Sequence, residues 1–271
     1  MLWGILVALA ALYLGALILL YTMQRKIVFH PDPALAAIAD YPAPRGLETV
    51  TNRTADGLDI VSWYLPPARP DGRTIAYFHG NAGHHGGRVE RIVPYAAAGY
   101  GILLVGYRGY GGNPGDPTEE GLYADARAAL DFLQGQDVKA DRLILFGESL
   151  GAAVATQMAI ERPARAVILE APFASILRSA RQRYRYLAFD ALVRDKFDTL
   201  SKIDRIGKPL LLIHGDLDRT TPAYFGRMVF DAAKEPKQGF FPAAAGHNDL
   251  MQHGMPARVL AFLESLGDGE G

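Results

Sequence analysis

Leu143-Ile144-Leu145-Phe146-Gly147-Glu148-Ser149-Leu150-Gly151 is an apolar run that ends in Gly-Glu-Ser-Leu-Gly and passes into alanine-rich sequence. A buried strand that enters a helix through one tight turn puts Ser149 at that turn, in strained backbone angles. Glycines two residues before and two after let strand and helix approach without a Cβ clash. The Ser149 hydroxyl then stands at the top of a sheet over the N-terminus of the next helix, whose free N–H groups and positive dipole end favour a developing oxyanion. Alone the motif is weak, because a serine at such a place also serves as an ordinary helix N-cap.

Working outward, residues 74–78 read as a buried strand leading into His79-Gly80-Asn81-Ala82-Gly83, and residues 88–98 as a helix closed by Gly99. Residues 101–105 are another apolar strand. Residues 118–134 form an amphipathic helix capped by Thr118, with Glu119 and Glu120 in its first turn. Strands at 166–170, 209–214 and 239–242, with helices at 222–233 and 248–266, continue the alternation. This spacing predicts a mostly parallel sheet with helices on both faces. Residues 47–53 and 58–65 alternate apolar and polar side chains around Asp56-Gly57, a hairpin signal. Between 173 and 205 the alternation breaks into a stretch of helical period rich in Arg and Tyr, expected as a short helical lid over the edge where open α/β sheets bind ligands.

The 271 residues suit one large α/β domain with an appended segment. Net charge is −1, without a long basic block, which argues against nucleic acid as a partner. The chain has no cysteine, so disulfides, thiolate catalysis and cysteine metal sites are excluded. Residues 2–21 carry no formal charge, and at about 1.5 Å per residue they span roughly 30 Å, the thickness of a bilayer core. No Lys or Arg precedes this run, which favours an uncleaved anchor over a signal peptide. The expected organisation is an anchor at 1–24, a juxtamembrane segment at 25–46 that is extended over 27–33, the α/β domain at 47–266 and a tail at 267–271. Arg25 and Lys26 after the span place that domain in the cytoplasm by the positive-inside rule.

Each chemistry-bearing group falls at the C-terminal end of an expected strand. Ser149 follows one, Asp216 and Asp218 follow the strand that ends at Ile213, and His247 follows the last, which ends near Phe241. Serine is a poor nucleophile at neutral pH, so His247 must take its proton during attack and return it to the leaving group, while an Asp fixes the imidazole tautomer. The tetrahedral oxyanion needs two donors, assigned to the backbone N–H groups of Leu150 and Asn81. His79 and His214 read as loop-ordering residues with buried hydrogen bonds, His84 and His85 as exposed loop residues, and Asp249 as a first-turn helix acid. No metal-ligand spacing is evident, and neither metal nor cofactor is expected.

The set His79-Gly80-Asn81-Ala82-Gly83, Tyr107-Arg108-Gly109-Tyr110-Gly111, Gly147-Glu148-Ser149-Leu150-Gly151, His214-Gly215-Asp216-Leu217-Asp218 with Pro222, and Gly246-His247-Asn248-Asp249 resembles the α/β-hydrolase superfamily. Within it the chain is similar to the membrane-anchored Bem46-like group, related to the serine aminopeptidase S33 domain. The resemblance implies an α/β-hydrolase fold and a Ser149, Asp218, His247 triad, since the family's His-Gly-x-x-Asp-x-x-x-Pro spacing falls on Asp218 and leaves Asp216 as a neighbour. Two positions depart from the group: Gly106 stands where Asp is common, and Glu148 where a basic or small residue is common. The expected activity is cleavage of an ester or thioester of a lipophilic, lipid-like acyl substrate met at the bilayer. Alternatives are aminopeptidase-like amide hydrolysis and a non-catalytic membrane-tethered binding protein. Dehalogenase or epoxide hydrolase chemistry is disfavoured, because such enzymes resemble this chain with Asp in place of Ser149. Arg178, Arg181 and Arg185 are placed on one lid face, either solvated or meeting acidic headgroups or an acidic substrate group.

Overall fold

A computed structural model describes residues 1–184 and 187–267. The chain starts with α1 (Leu2–Val28), an apolar helix long enough to cross a membrane and without a buried residue. It continues through β1 (His30–Pro31), the hairpin β2 (Glu48–Arg53) and β3 (Asp59–Leu65), β4 (Thr74–Phe78), β5 (Ala82–Gly83), α2 (Val89–Ala97), β6 (Gly101–Val105) and α3 (Glu119–Gly135). Then follow β7 (Leu143–Glu148), α4 (Leu150–Glu161), β8 (Ala166–Glu170), α5 (Ile176–Arg183), β9 (Leu210–Ile213), α6 (Ala223–Ala232), β10 (Lys237–Phe240) and α7 (Met255–Ser265).

The main sheet has eight strands in the order β10-β9-β8-β7-β4-β6-β3-β2. Only the pairings of β3 with β2 and β6 are antiparallel. Successive residues of the central strands enter opposite cores, as a period of two requires. Ala76, Phe78, Leu145, Val167 and Leu212 pack with α3, α4 and α6, whereas Ile75, Tyr77, Ile144, Phe146 and Leu211 pack with α2 and α7. The sheet is thus covered on both faces, and the loops at the C-terminal strand ends converge on one edge.

The elbow between β7 and α4 depends on close backbone approach. A Cβ on Gly151 would lie 1.9 Å from the Phe78 carbonyl oxygen, and one on Gly147 2.3 Å from the Gly151 oxygen. Neither obstacle is a flexible side-chain end, so Gly151→Ala must push β4 and α4 apart. The expected loss is about 3 kcal/mol or more, read as a lowered thermal midpoint in detergent by circular dichroism.

Four regions differ from the expectation. The first helix runs on to Val28, so the extended segment begins only at Phe29, and β1 pairs in parallel with β5. Among the described residues, the stretch 173–205 is mostly irregular, with one helix, α5, and two short 3-10 turns. Its backbone finds partners on α1 in place of its own helix: Tyr13 Oη accepts from the Ala188 N–H at 2.9 Å, and Gln24 Nε2 donates to the Leu192 oxygen at 3.1 Å. The closing helix starts at Met255, because Pro256 lacks the N–H that a helix continuing from 250 would need; a 3-10 turn at Leu250–His253 and Gly254 at φ +85° precede it. The last strand is Lys237–Phe240, two residues earlier than expected.

Candidate active site

Ser149 sits between β7 and α4 at φ 51° and ψ −109°, a conformation costly for any residue with a Cβ. Its N–H donates to the Glu170 carbonyl at the end of β8 at 2.8 Å, which fixes the turn. Although it occupies the N-cap position of α4, its side chain makes no capping bond. Its Oγ instead lies 3.2 Å from His247 Nε2. The opposite ring nitrogen, His247 Nδ1, donates to Asp218 Oδ2 at 2.6 Å.

Asp218 is 6 % exposed and also accepts at Oδ1 from the backbone N–H groups of Thr220 and Thr221, at 2.8 and 2.7 Å. Burial pushes its carboxyl up. Hydrogen bonds from His214 and His247, with the Thr221 N–H, outweigh that and hold it well below the usual carboxylate range. Asp216 turns away and pairs with Arg227 at the surface, at 2.6 Å. The structure therefore brings Ser149, His247 and Asp218 into one chain of hydrogen-bond distances and leaves Asp216 outside it. His214 is fully buried, with Nε2 2.8 Å from the Thr221 oxygen and 3.2 Å from Asp218 Oδ2. The sequence marks it as a loop-ordering residue; what it orders is the carboxylate that meets His247.

Asn81 and Leu150 line the same cavity as Ser149, of about 480 Å³. Buried His79 donates from Nδ1 to the Gly80 oxygen at 2.7 Å. In a trans peptide that carbonyl points opposite to the Asn81 N–H, so the bond sets the direction of the N–H. The Asn81 carbonyl is held separately, by the His30 N–H and by Tyr110 Oη–H, each at 2.9 Å. Burial pushes the His79 imidazole well below its ordinary range, so it stays neutral beside the site.

Both departures from the resembled group have a structural reason. A Cβ on Gly106 would lie 1.9 Å from the Val61 oxygen, so no larger residue fits against β3. Glu148 faces away from the cavity into a buried network. Arg88 donates to both of its oxygens at 2.9 Å, and Tyr77 Oη–H donates at 3.1 Å while accepting from Arg91 at 3.0 Å. Arg91 also pairs with buried Glu170. Burial raises the Glu148 carboxyl, but Arg88 and Arg91 outweigh it and leave it lowered to about 2. Arg88 follows the loop that carries Asn81, so this ion pair ties the elbow to that loop.

Three expectations need correction. His84 and His85 are not exposed: they are 7 % and 0 % accessible, covered by Tyr41 from the segment after α1 and by Trp63, whose ring meets His85 edge-on at 4.9 Å. Burial lowers the His85 imidazole to about 3. The arginine face is also revised. Arg178 and Arg181 are exposed on α5, Arg181 is engaged by Asp190, and Arg185 lies outside the described residues. The arginines that line the cavity are Arg183 and Arg219. Asp249 stands at the N-cap position of a 3-10 turn, not inside a helix, and its side chain accepts from the Gly246 N–H at 2.7 Å, ordering the loop of His247.

The topology defines an α/β-hydrolase fold, and the chain belongs to the α/β-hydrolase family. A family model described as serine aminopeptidase, S33, matches residues 69–200. An uncharacterised protein of Mycobacterium tuberculosis is 38 % identical over 237 residues, covering 87 % of this chain and 84 % of that protein. The alpha/beta hydrolase domain-containing protein WAV2 of Arabidopsis thaliana is 31 % identical over 265 residues, with 87 % and 85 % coverage. Among solved structures, the Pyrococcus furiosus esterase Pf2001 superposes with a TM-score of 0.70 at 18 % identity, covering 88 % of this chain and 98 % of that one. The acetyl xylan esterase from Paenibacillus sp. R4 gives 0.66 at 22 % identity, with 83 % and 86 % coverage.

Proposed function

We propose that this hydrolase is anchored in a membrane by α1 and cleaves an ester or thioester of a lipophilic acyl substrate through an acyl-enzyme on Ser149. The observation that carries the reading is the line Ser149 Oγ, His247, Asp218, with separations of 3.2 and 2.6 Å through the two ring nitrogens. Ser149 Oγ attacks the acyl carbon while its proton passes to His247 Nε2. The oxyanion that forms is met by the N–H groups of Asn81 and Leu150. Collapse breaks the bond to the alcohol or thiol, which leaves with the proton from His247. Water, deprotonated by His247, then attacks the acyl-enzyme and frees the acid and Ser149. Asp218 keeps the proton of the neutral ring on Nδ1 and steadies the imidazolium. Arg25 and Lys26, in the last turn of α1, favour the cytoplasmic side.

Amide hydrolysis is the second reading, because the matching family model is described as a serine aminopeptidase. The cavity argues against it. An aminopeptidase must hold a substrate ammonium, yet among the described residues the lining contains Arg183 and Arg219 and no carboxylate side chain.

A fluorophosphonate probe on the detergent-solubilised full chain tests the proposal. Wild type is expected to label at Ser149 and to hydrolyse p-nitrophenyl acyl esters, and His247→Ala to do neither above about 10⁻³ of the wild-type rate. Equal labelling in both proteins would remove His247 from the mechanism, and a wild type inert to probe and esters would leave a tethered binding protein.

A further inference from the structure

The last two residues of α1 form part of the wall of the cavity that holds Ser149: Ile27 and Val28 line it together with Leu150 and Phe173. A second, smaller cavity of about 60 Å³ shares Ile27, Val28, Ala180 and Tyr184 with the first and extends along α1 to Leu20. Its other walls, Phe189, Leu192 and Val193, come from the irregular segment after α5. Among the described residues that line this smaller cavity, Gln24 is the one amide, and both its ends are taken. Nε2 donates to the Tyr21 and Leu192 oxygens, at 2.9 and 3.1 Å, and Oε1 accepts from the Arg194 N–H at 2.8 Å. The slot thus offers a guest hydrocarbon and almost no free hydrogen-bonding group.

Its outer end lies at the depth of the apolar run. Tyr13 holds the Ala188 N–H, the Arg194 guanidinium stacks over the Tyr21 ring at 5.7 Å, and Arg25 pairs with Asp195 at 2.8 Å. From Tyr13 to Val28 is about 22 Å of helix axis at 1.5 Å per residue, so the segment 188–195 lies along the C-terminal half of α1. The inner end is tied to the catalytic loop, since Asn81 Nδ2 donates to the Val28 oxygen at 2.8 Å and β1 pairs with β5. One helix therefore links the bilayer to the proposed oxyanion loop.

We propose that α1 is part of the substrate site: the acyl chain lies between α1 and the walls made by Ala180, Tyr184, Phe189, Leu192 and Val193, its carbonyl at Ser149 and its tail toward Leu20, and it enters sideways from the bilayer without crossing water. The substrate class is then a membrane lipid ester or thioester with a medium to long unbranched chain, and Ile27, Val28 and Ala180 set its length. This rests on the acyl-enzyme reading above and goes beyond it by naming the route.

The test uses the full chain in lipid nanodiscs, with p-nitrophenyl butyrate and laurate as substrates. Ile27→Trp and Ala180→Phe fill the slot from opposite walls. Each buried methylene contributes about fourfold to binding, so excluding three or four is expected to lower the laurate-to-butyrate ratio of kcat/KM roughly 10²-fold in either variant. On the wild type, a dodecyl fluorophosphonate with a terminal diazirine is expected to attach at Ser149 and, on irradiation, to crosslink within residues 20–28 or 184–193. Ratios within twofold of wild type, or crosslinks in 219–225, would overturn the route while leaving the serine hydrolase intact. A wild type that neither labels nor hydrolyses butyrate would remove the acyl-enzyme reading and this inference with it.

Discussion

Ser149→Gly is expected to raise the thermal midpoint while abolishing hydrolysis, and Ser149→Ala to abolish hydrolysis with no such gain. At φ 51° and ψ −109° the Ser149 backbone sits where a Cβ costs about 1–3 kcal/mol. Glycine removes that strain but loses about 0.5–1 kcal/mol to the greater freedom of its unfolded chain. The net of about 1 kcal/mol corresponds to roughly 2–4 °C in a domain of this size. Alanine keeps the Cβ, keeps the strain and melts with the wild type. Both variants lack the proposed nucleophile, so kcat/KM should fall by about 10⁴-fold or more, the remainder coming from binding and the proposed oxyanion donors. Differential scanning calorimetry beside ester hydrolysis on all three proteins measures both effects. A glycine variant no more stable than wild type would mean the turn is not a reservoir of strain, and full activity in the alanine variant would remove Ser149 from the reaction.

The elbow itself was legible because its physics is local. Gly147, Ser149 and Gly151 are required by one turn, and a strand with four consecutive apolar side chains, followed after the turn by alanines, leaves little choice of partner element. The strands at 74–78, 101–105 and 166–170 are found at the expected residues for the same reason, since strands buried on both faces are continuous apolar runs. What the sequence hid is settled between distant segments. His84 and His85 look like loop residues until Tyr41, more than 40 positions from His84, is laid over it and Trp63 meets His85. Residues 187–195 have a helical composition, yet α1 satisfies their backbone in place of a helix of their own. Glu148 looked like a departure beside the nucleophile; two arginines from the start of α2 make it a buried ion pair. The contribution of α1 to the cavity was illegible because apolar composition marks a bilayer span whether or not one of its faces is also used by the folded domain.

Asp218→Asn is expected to lower kcat about 10⁴-fold while leaving the fold and KM nearly intact, and the reason lies in the tautomer of one ring. Asp218 Oδ1 accepts from the Thr220 and Thr221 N–H groups, so an asparagine keeps its carbonyl there and turns its NH₂ toward His247. His247 Nδ1 must then accept, which moves the proton of the neutral ring to Nε2, the atom 3.2 Å from Ser149 Oγ. An Nε2–H cannot take the serine proton, so the general base is lost although every heavy atom stays in place. Asp218→Glu tests geometry separately: it keeps the charge but moves the carboxylate by one methylene. The acid limb of stability adds a second readout. The Asp218 carboxyl is held below its unfolded value, so its contribution to stability is fully present above an ordinary aspartate pKa of about 3.9 and is lost as pH falls through the lower folded value. The thermal midpoints of wild type and Asp218→Asn should therefore differ above about pH 4 and converge below it. A variant retaining more than about a tenth of wild-type kcat would show that the ring finds its working tautomer without Asp218, and His214, 3.2 Å from the same carboxylate, would be the residue to examine next.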